Sequence, residues 1–360
     1  MATHKGSRIA RARGLILGCR SGDVRARTPA RASAFRGVRI GHATAADGAT
    51  GVSVVLFGRA APTVVDVRGG ASGTYDTASL SLDATFGRRW AVFFTGGSLF
   101  GLDAGGGIRD RILAEGGGQA FFGSPNRVAP VAGAVLYDLP RTPWSPVDYR
   151  KLGEEAARLA GPVAPMAGRT GAGSGARIGK YLGRGHSQAG ALAVAVENER
   201  GLGRMLALAV LNPVGAVRDP STGRWIAGAR DRSGRLVPPE GGSATAHAGT
   251  TLVCLVTDVA ASRPILQRVA AFAHTGLSRA VVPAHTATDG DAVFVSSIAP
   301  GPDHIVDSSG PERLPDRLGM LAERATVRAI VTAAGAANRF ERSALGGAKS
   351  HASRGSSRSS

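Results

Sequence analysis

A succession of strand-length apolar runs, several of them closed by glycine, asparagine or a carboxylate, limits this chain more than any other feature. Residues 52–57, 63–67, 90–94, 131–137, 192–196, 205–211 and 293–295, with the run that follows Thr250, have the length and the β-branched or aromatic content of strands. Helical patterns stand between them. One opens near Ser98 and carries Leu102, Ile108, Ile112 and Leu113; another starts at Ser145-Pro146-Val147 and reaches Leu159. A third follows Ser262-Arg263-Pro264 with Ile265, Val269, Phe272 and Leu277, and the last runs from about Asp316 through Ala334. Many half-buried strands with intervening helices predict sheets covered by helices in layers.

Charge separates the ends from the body. The net charge of +18 first points to nucleic acid or an anionic surface. Twelve of those units lie in residues 1–36 and 342–360, and the body keeps an ordinary +6. The expected organisation is therefore a basic, disordered leader over 1–36, one domain over 37–340, and a disordered basic tail over 341–360. Ile16-Leu17-Gly18-Cys19 resembles a lipoprotein cleavage box, but the apolar run before it is too short for a secretory signal. No later run reaches the roughly 18 apolar residues of a membrane span, so the expected location is the cytoplasm. Cys19 and Cys254 give neither a disulfide framework nor zinc-ligand spacing, and no metal is expected.

The chemistry concentrates at Gly249-Thr250-Thr251, where a small residue and two hydroxyls lead into an apolar strand. Threonine packs well in strands, and its hydroxyl is ordinarily a poor nucleophile. If Thr250 became a new N-terminus, its own α-amine could act as general base, with a reference pKa of about 7.7 to 8.0. Other marked segments also sit at strand ends. Gly96-Gly97-Ser98 enters a helix and could offer backbone N–H groups to an anion, or could simply be a close turn. The run from Gly168 to Lys180 could pass for a nucleotide loop, although its glycine spacing is weak evidence. Asn212 offers an amide at a strand end, and Asp289-Gly290-Asp291 offers two carboxylates. His247, His274 and His285 show no metal spacing and are read as structural or exposed. The Gly-, Pro- and Arg-rich segment from Asp219 to Thr245 reads as an exposed excursion.

In order along the chain, Val38-Arg39-Ile40-Gly41-His42-Ala43-Thr44, Arg68-Gly69-Gly70, Thr95-Gly96-Gly97-Ser98, Gly171-Ala172-Gly173-Ser174-Gly175-Ala176, Asn212, Gly249-Thr250-Thr251 and Gly290-Asp291 form a specific set. Over about residues 37–336 the chain resembles the L-aminopeptidase/D-esterase family, the self-processing aminopeptidases of the DmpA type. The resemblance implies a four-layer αββα sandwich. It also implies cleavage between Gly249 and Thr250 into an α piece, 1–249, and a β piece, 250–360, that remain associated. Thr250 would be the nucleophile, Asn212 the oxyanion donor, and Asp289 and Asp291 the carboxylates near the nucleophile and its amine. Tyr137 matches a position where members carry tyrosine or phenylalanine, and Gly96, Gly97 and Ser98 would line the substrate pocket. The implied activity is a serine/threonine-type aminopeptidase or amidohydrolase acting on a small amide or short peptide without a cofactor, in an enzyme that associates with further copies of itself.

Two departures stand out. Many relatives have asparagine where this chain has Gly249, and many read Gly-Asn-Val-Gly-Ala-Gly where it has Gly168-Arg169-Thr170-Gly171-Ala172-Gly173. Two other readings compete. Acyl transfer, as in the ornithine acetyltransferases, would use the same threonine, but those proteins usually carry Ala-Thr-Met at the cut. A nucleic-acid binder working through basic tails would lack interleaved aromatics and any known binding module.

Overall fold

The computed structural model describes residues 35–140, 147–239, 248–299 and 313–355, with side chains described as far as Glu341. Most of the basic leader and the segment 240–247 ahead of Gly249 lie outside these residues, as do Cys19, His247 and the expected helix start at Ser145-Pro146.

The principal strands are β1 (Val38–Thr44), β2 (Gly51–Val67), β3 (Arg88–Thr95), β4 (Val131–Val135), β5 (Ala191–Glu199), β6 (Gly203–Asn212), β7 (Thr250–Thr257) and β8 (Ala292–Ser297). The helices are α1 (Ala104–Ala114), α2 (Tyr149–Arg158), α3 (Arg263–Ala280) and α4 (Leu314–Gly355). Two of the expected runs, 52–57 and 63–67, are one 17-residue strand. Its first half pairs with β1 and β3; after an irregularity between Leu56 and Ala61, its second half pairs with β8. One strand thus belongs to two sheets. The first continues from β3 to a parallel β4. The second runs from β8 to a parallel β7, then through antiparallel β6 and β5.

Alternation along the strands sends side chains into three separate apolar layers. On β6, Met205, Ala207, Ala209 and Leu211 join one cluster with α3 and α4, while Leu206, Leu208 and Val210 join another between the sheets. On β3, Val92 and Phe94 enter that same central layer, while Ala91 and Phe93 face α1 and α2. Both faces of both sheets are therefore covered, which is why these strands read as nearly unbroken apolar runs. The order of layers is helix, sheet, sheet, helix, the expected αββα sandwich.

Three boundaries differ from expectation. Phe35 is buried in the central layer, so packed residues extend into the segment read as leader. Trp225–Ala227 forms a strand beside Ala216–Arg218, and Ala227 and Ala229 are buried, so only part of the supposed excursion from Asp219 lies at the surface. Finally, α4 extends to Gly355, past the end set by apolar periodicity and into the stretch read as tail. Periodicity reports burial, and a helix without an interrupting proline can run on beyond the surface it packs against.

Candidate active site

Three polypeptide segments converge where β7 begins. Thr250 is the first residue of that strand, and its register partner across the antiparallel ladder is Asn212, the last residue of β6. On the other side, Gly249 forms an isolated parallel bridge with Asp289. Thr250, Asn212, Gly249 and Asp289 are all buried.

The Gly249 peptide is held closely. Its N–H donates to Thr288 O at 3.0 Å, and its carbonyl accepts from Gly290 N at 2.9 Å. The Thr250 hydroxyl donates to the same carbonyl. The absence of a side chain at 249 has a clear cause: a Cβ there would stand 2.2 Å from Asp289 Oδ1 and 2.4 Å from Val214 N. Likewise, a Cβ at Gly290 would come within 2.9 Å of Thr250 Oγ1.

Asn212 is fixed from two directions. Its Oδ1 accepts from Arg177 N at 2.9 Å, and its Nδ2 donates to Tyr137 O at 3.2 Å. A carboxamide has two N–H donors, so one remains for a ligand. Tyr137 reaches the site through this carbonyl, while its side chain is exposed.

The carboxylates have separate anchors. Asp289 Oδ1 accepts from Val214 N at 3.1 Å, and its Oδ2 accepts from the Thr286 hydroxyl at 2.6 Å and the Thr286 amide at 3.2 Å. Asp291 Oδ1 accepts from Thr251 N at 2.6 Å. Burial, and then the neighbouring charge of Asp291, push the Asp289 carboxyl above its ordinary range.

Lys180, which the sequence reading passed over, is buried beside them. Its ammonium donates to Asn212 O at 2.5 Å and Ala248 O at 3.0 Å, tying the end of β6 to the residue before Gly249. Burial lowers its pKa to about 7, against the opposing pull of Asp289. The only signal was that Lys180 closes the glycine-rich run beginning at Gly168. That run is no nucleotide loop: the Gly171 and Ala172 amides donate to Thr44 Oγ1 and Ser53 Oγ, and Arg177 N to Asn212.

Gly96, Gly97 and Ser98 stand one step away. Their amides donate to Gly51 O, Asp138 Oδ1 and Leu136 O, a close turn that takes up one carboxylate of the chain itself. Burial pushes the Asp138 carboxyl up to about 6. Asp138, Thr50 and Tyr149 line a cavity of about 260 Å³, and a Cβ at Gly96 or Gly97 would collide with these three side chains. Among the described residues, no cluster of three or more His, Cys, Asp or Glu side chains could hold a metal ion, and no helix is long and apolar enough to cross a membrane.

The αββα fold is that of a hydrolase family to which sequence comparison assigns this chain. The model of peptidase family S58 matches residues 35–344, and the chain belongs to that family. An uncharacterised aminopeptidase of Mycobacterium tuberculosis is 31% identical over 322 residues, covering 84% of this chain and 88% of the relative. The 6-aminohexanoate-oligomer endohydrolase of Paenarthrobacter ureafaciens is 31% identical over 282 residues, covering 72% of each. Among solved structures, a Burkholderia sp. β-aminopeptidase superposes with a TM-score of 0.59 at 21% identity, over 85% of this chain and 87% of that one. The L-aminopeptidase D-Ala-esterase/amidase of Ochrobactrum anthropi, described as a variant of the Ntn-hydrolase fold, gives 0.57 at 17% identity over 82% and 83%.

Proposed function

We propose that this hydrolase activates itself by cutting Gly249–Thr250 and then cleaves small amides or short peptides with Thr250 as its N-terminal nucleophile. The observation that carries the reading is the pairing of a buried threonine hydroxyl with the carbonyl of a side-chain-free residue whose oxygen is held by Gly290 N. In the first stage Thr250 Oγ attacks the Gly249 carbonyl carbon. The hydroxyl proton passes to the departing nitrogen, the C–N bond breaks, and an ester joins Gly249 to Oγ. Water then hydrolyses the ester, leaving a Gly249 carboxylate, a free Thr250 hydroxyl and a new α-amine.

In the second stage that amine takes the hydroxyl proton while Oγ attacks a substrate carbonyl. The remaining Asn212 N–H stabilises the oxyanion, the amine returns the proton to the leaving nitrogen, and water resolves the acyl-enzyme. The Asp289–Asp291 pair sits where it can compensate the ammonium form of the new terminus. Hydrolysis is favoured over acyl transfer because the named relatives are hydrolases. Their names cover removal of terminal residues and cleavage inside an amide oligomer, so the substrate class proposed is an amino-acid amide or a short amide oligomer. The two pieces stay joined through the β6–β7 and β8–β2 ladders. Denaturing electrophoresis with N-terminal sequencing tests the reading: a fragment beginning at Thr250 is expected. A chain that stays whole, or a different new terminus, overturns it.

A further inference from the structure

His285 was read from sequence as structural or exposed, yet it touches the carboxylate pair. Its backbone N–H donates to Asp291 Oδ2 at 2.9 Å, and its ring Nδ1 lies 2.9 Å from the same oxygen. The other Asp291 oxygen accepts from Thr251 N, one residue from the nucleophile. A single carboxylate therefore links the imidazole to the peptide that follows Thr250.

The placement is not casual. His285 has φ +57°, a left-handed conformation uncommon for a residue with a side chain. Such a backbone persists only where its surroundings over-determine it, and such residues cluster at functional sites. Here the turn lets the main-chain and ring donors of one residue meet on one oxygen. The ring also packs edge-on against His274 of α3, with centroids 4.8 Å apart, and His274 Nε2 is 2.9 Å from Asp66 O on β2. The titratable and charged groups around His285 are thus Asp291 at its Nδ1 and His274 at its edge, with Asp289 behind the first and Asp66 and Arg68 behind the second.

Asp289 and Asp291 are neighbouring buried carboxylates. A carboxylate oxygen accepts, so a ring N–H at Nδ1 makes the contact with Asp291 attractive. We propose that His285 is a positioning residue for the reaction: its main-chain and ring N–H groups fix Asp291 Oδ2 and so hold Asp291 Oδ1 on the Thr251 amide, one residue from the nucleophile. This rests on the proposed roles of Thr250 and the two aspartates.

The test uses protein already shown to be cut at Gly249–Thr250, so failure of that cut would count against the proposed function and not against His285. The kcat and KM of wild type, His285→Ala and His285→Asn are measured on an amino-acid p-nitroanilide, with circular dichroism to check folding. Asparagine tolerates positive φ and donates one N–H in place of Nδ1. His285→Asn is expected to keep kcat within about threefold of wild type, while His285→Ala loses about tenfold in kcat with KM within about twofold. A folded His285→Ala enzyme with wild-type kcat overturns the proposal, and so does a folded His285→Asn enzyme as impaired as His285→Ala.

Discussion

Asn212 and Thr250 are direct register partners on adjacent antiparallel strands, so the amide and the hydroxyl stand one strand apart at the same end of the second sheet. Register partners share a face, with Cα atoms about 4.5–5.5 Å apart. A substrate carbonyl meeting Thr250 Oγ would therefore lie within the reach of Asn212. The alignment comes from the ladder itself, since the pairing from Met205–Thr257 to Asn212–Thr250 is unbroken.

Thr250→Ala should leave a single 360-residue chain without turnover, because it removes the hydroxyl and leaves the packing nearly unchanged. Thr250→Ser should still process. Electrophoresis and an amidase assay check both, and an alanine variant that is cut at 249 would reassign the nucleophile.

Gly249→Ala tests the crowding around the scissile peptide. Its methyl group would collide with both Asp289 Oδ1 and the Val214 amide. A displacement of about 1 Å at a reacting centre can cost on the order of 100-fold, so self-cleavage should slow to that extent. Time courses of precursor disappearance would show it, and processing at the wild-type rate would contradict the geometry.

For Asn212→Ala the expected loss in kcat is about 100- to 1000-fold, the usual effect of removing one oxyanion donor. Arg177 N and Tyr137 O also lose their partner, so thermal stability should fall as well. An unchanged kcat in a folded variant would move the oxyanion site elsewhere.

Lys180 predicts a pH dependence of stability with a definite sign. Its folded pKa of about 7 lies below its ordinary 10.5, so between those values the unfolded chain binds the extra proton. Stability then rises with pH across that window, and the cost of the buried charge is fully present below about pH 7. Lys180→Met should flatten the rise in Tm between pH 7 and 10 relative to wild type. An equal rise in both proteins would place its source in other groups.

The sandwich was legible because strands covered on both faces are apolar throughout, and Leu206 through Leu211 or Leu252 through Val256 have no other way to be buried. Thr250, Asn212 and the Asp289-Gly290-Asp291 loop each mark a strand end with a polar group, and it was their order along the chain, matched to the family, that singled them out as candidates. Lys180 and His285 were not legible. Lys180 depends on a carbonyl 32 residues away, and His285 on the shape of its own turn, so neither leaves a local pattern. Gly96-Gly97-Ser98 left two readings open for the converse reason: a turn rich in backbone amides looks the same in sequence whether its anion comes from a ligand or from Asp138.

The second sheet places β8 and β7, both downstream of Gly249, between β2 and β6, both upstream of it. A cut at Gly249–Thr250 would leave two polypeptides interleaved strand by strand. Before the cut, folding is a reaction of one molecule; after it, refolding requires two to meet. The processed protein should therefore melt at a temperature that depends on its concentration and recover poorly from dilute denaturant, whereas the uncut Thr250→Ala chain should do neither. Self-processing would in that case fix the enzyme in a state protected mainly by the slowness of its unfolding.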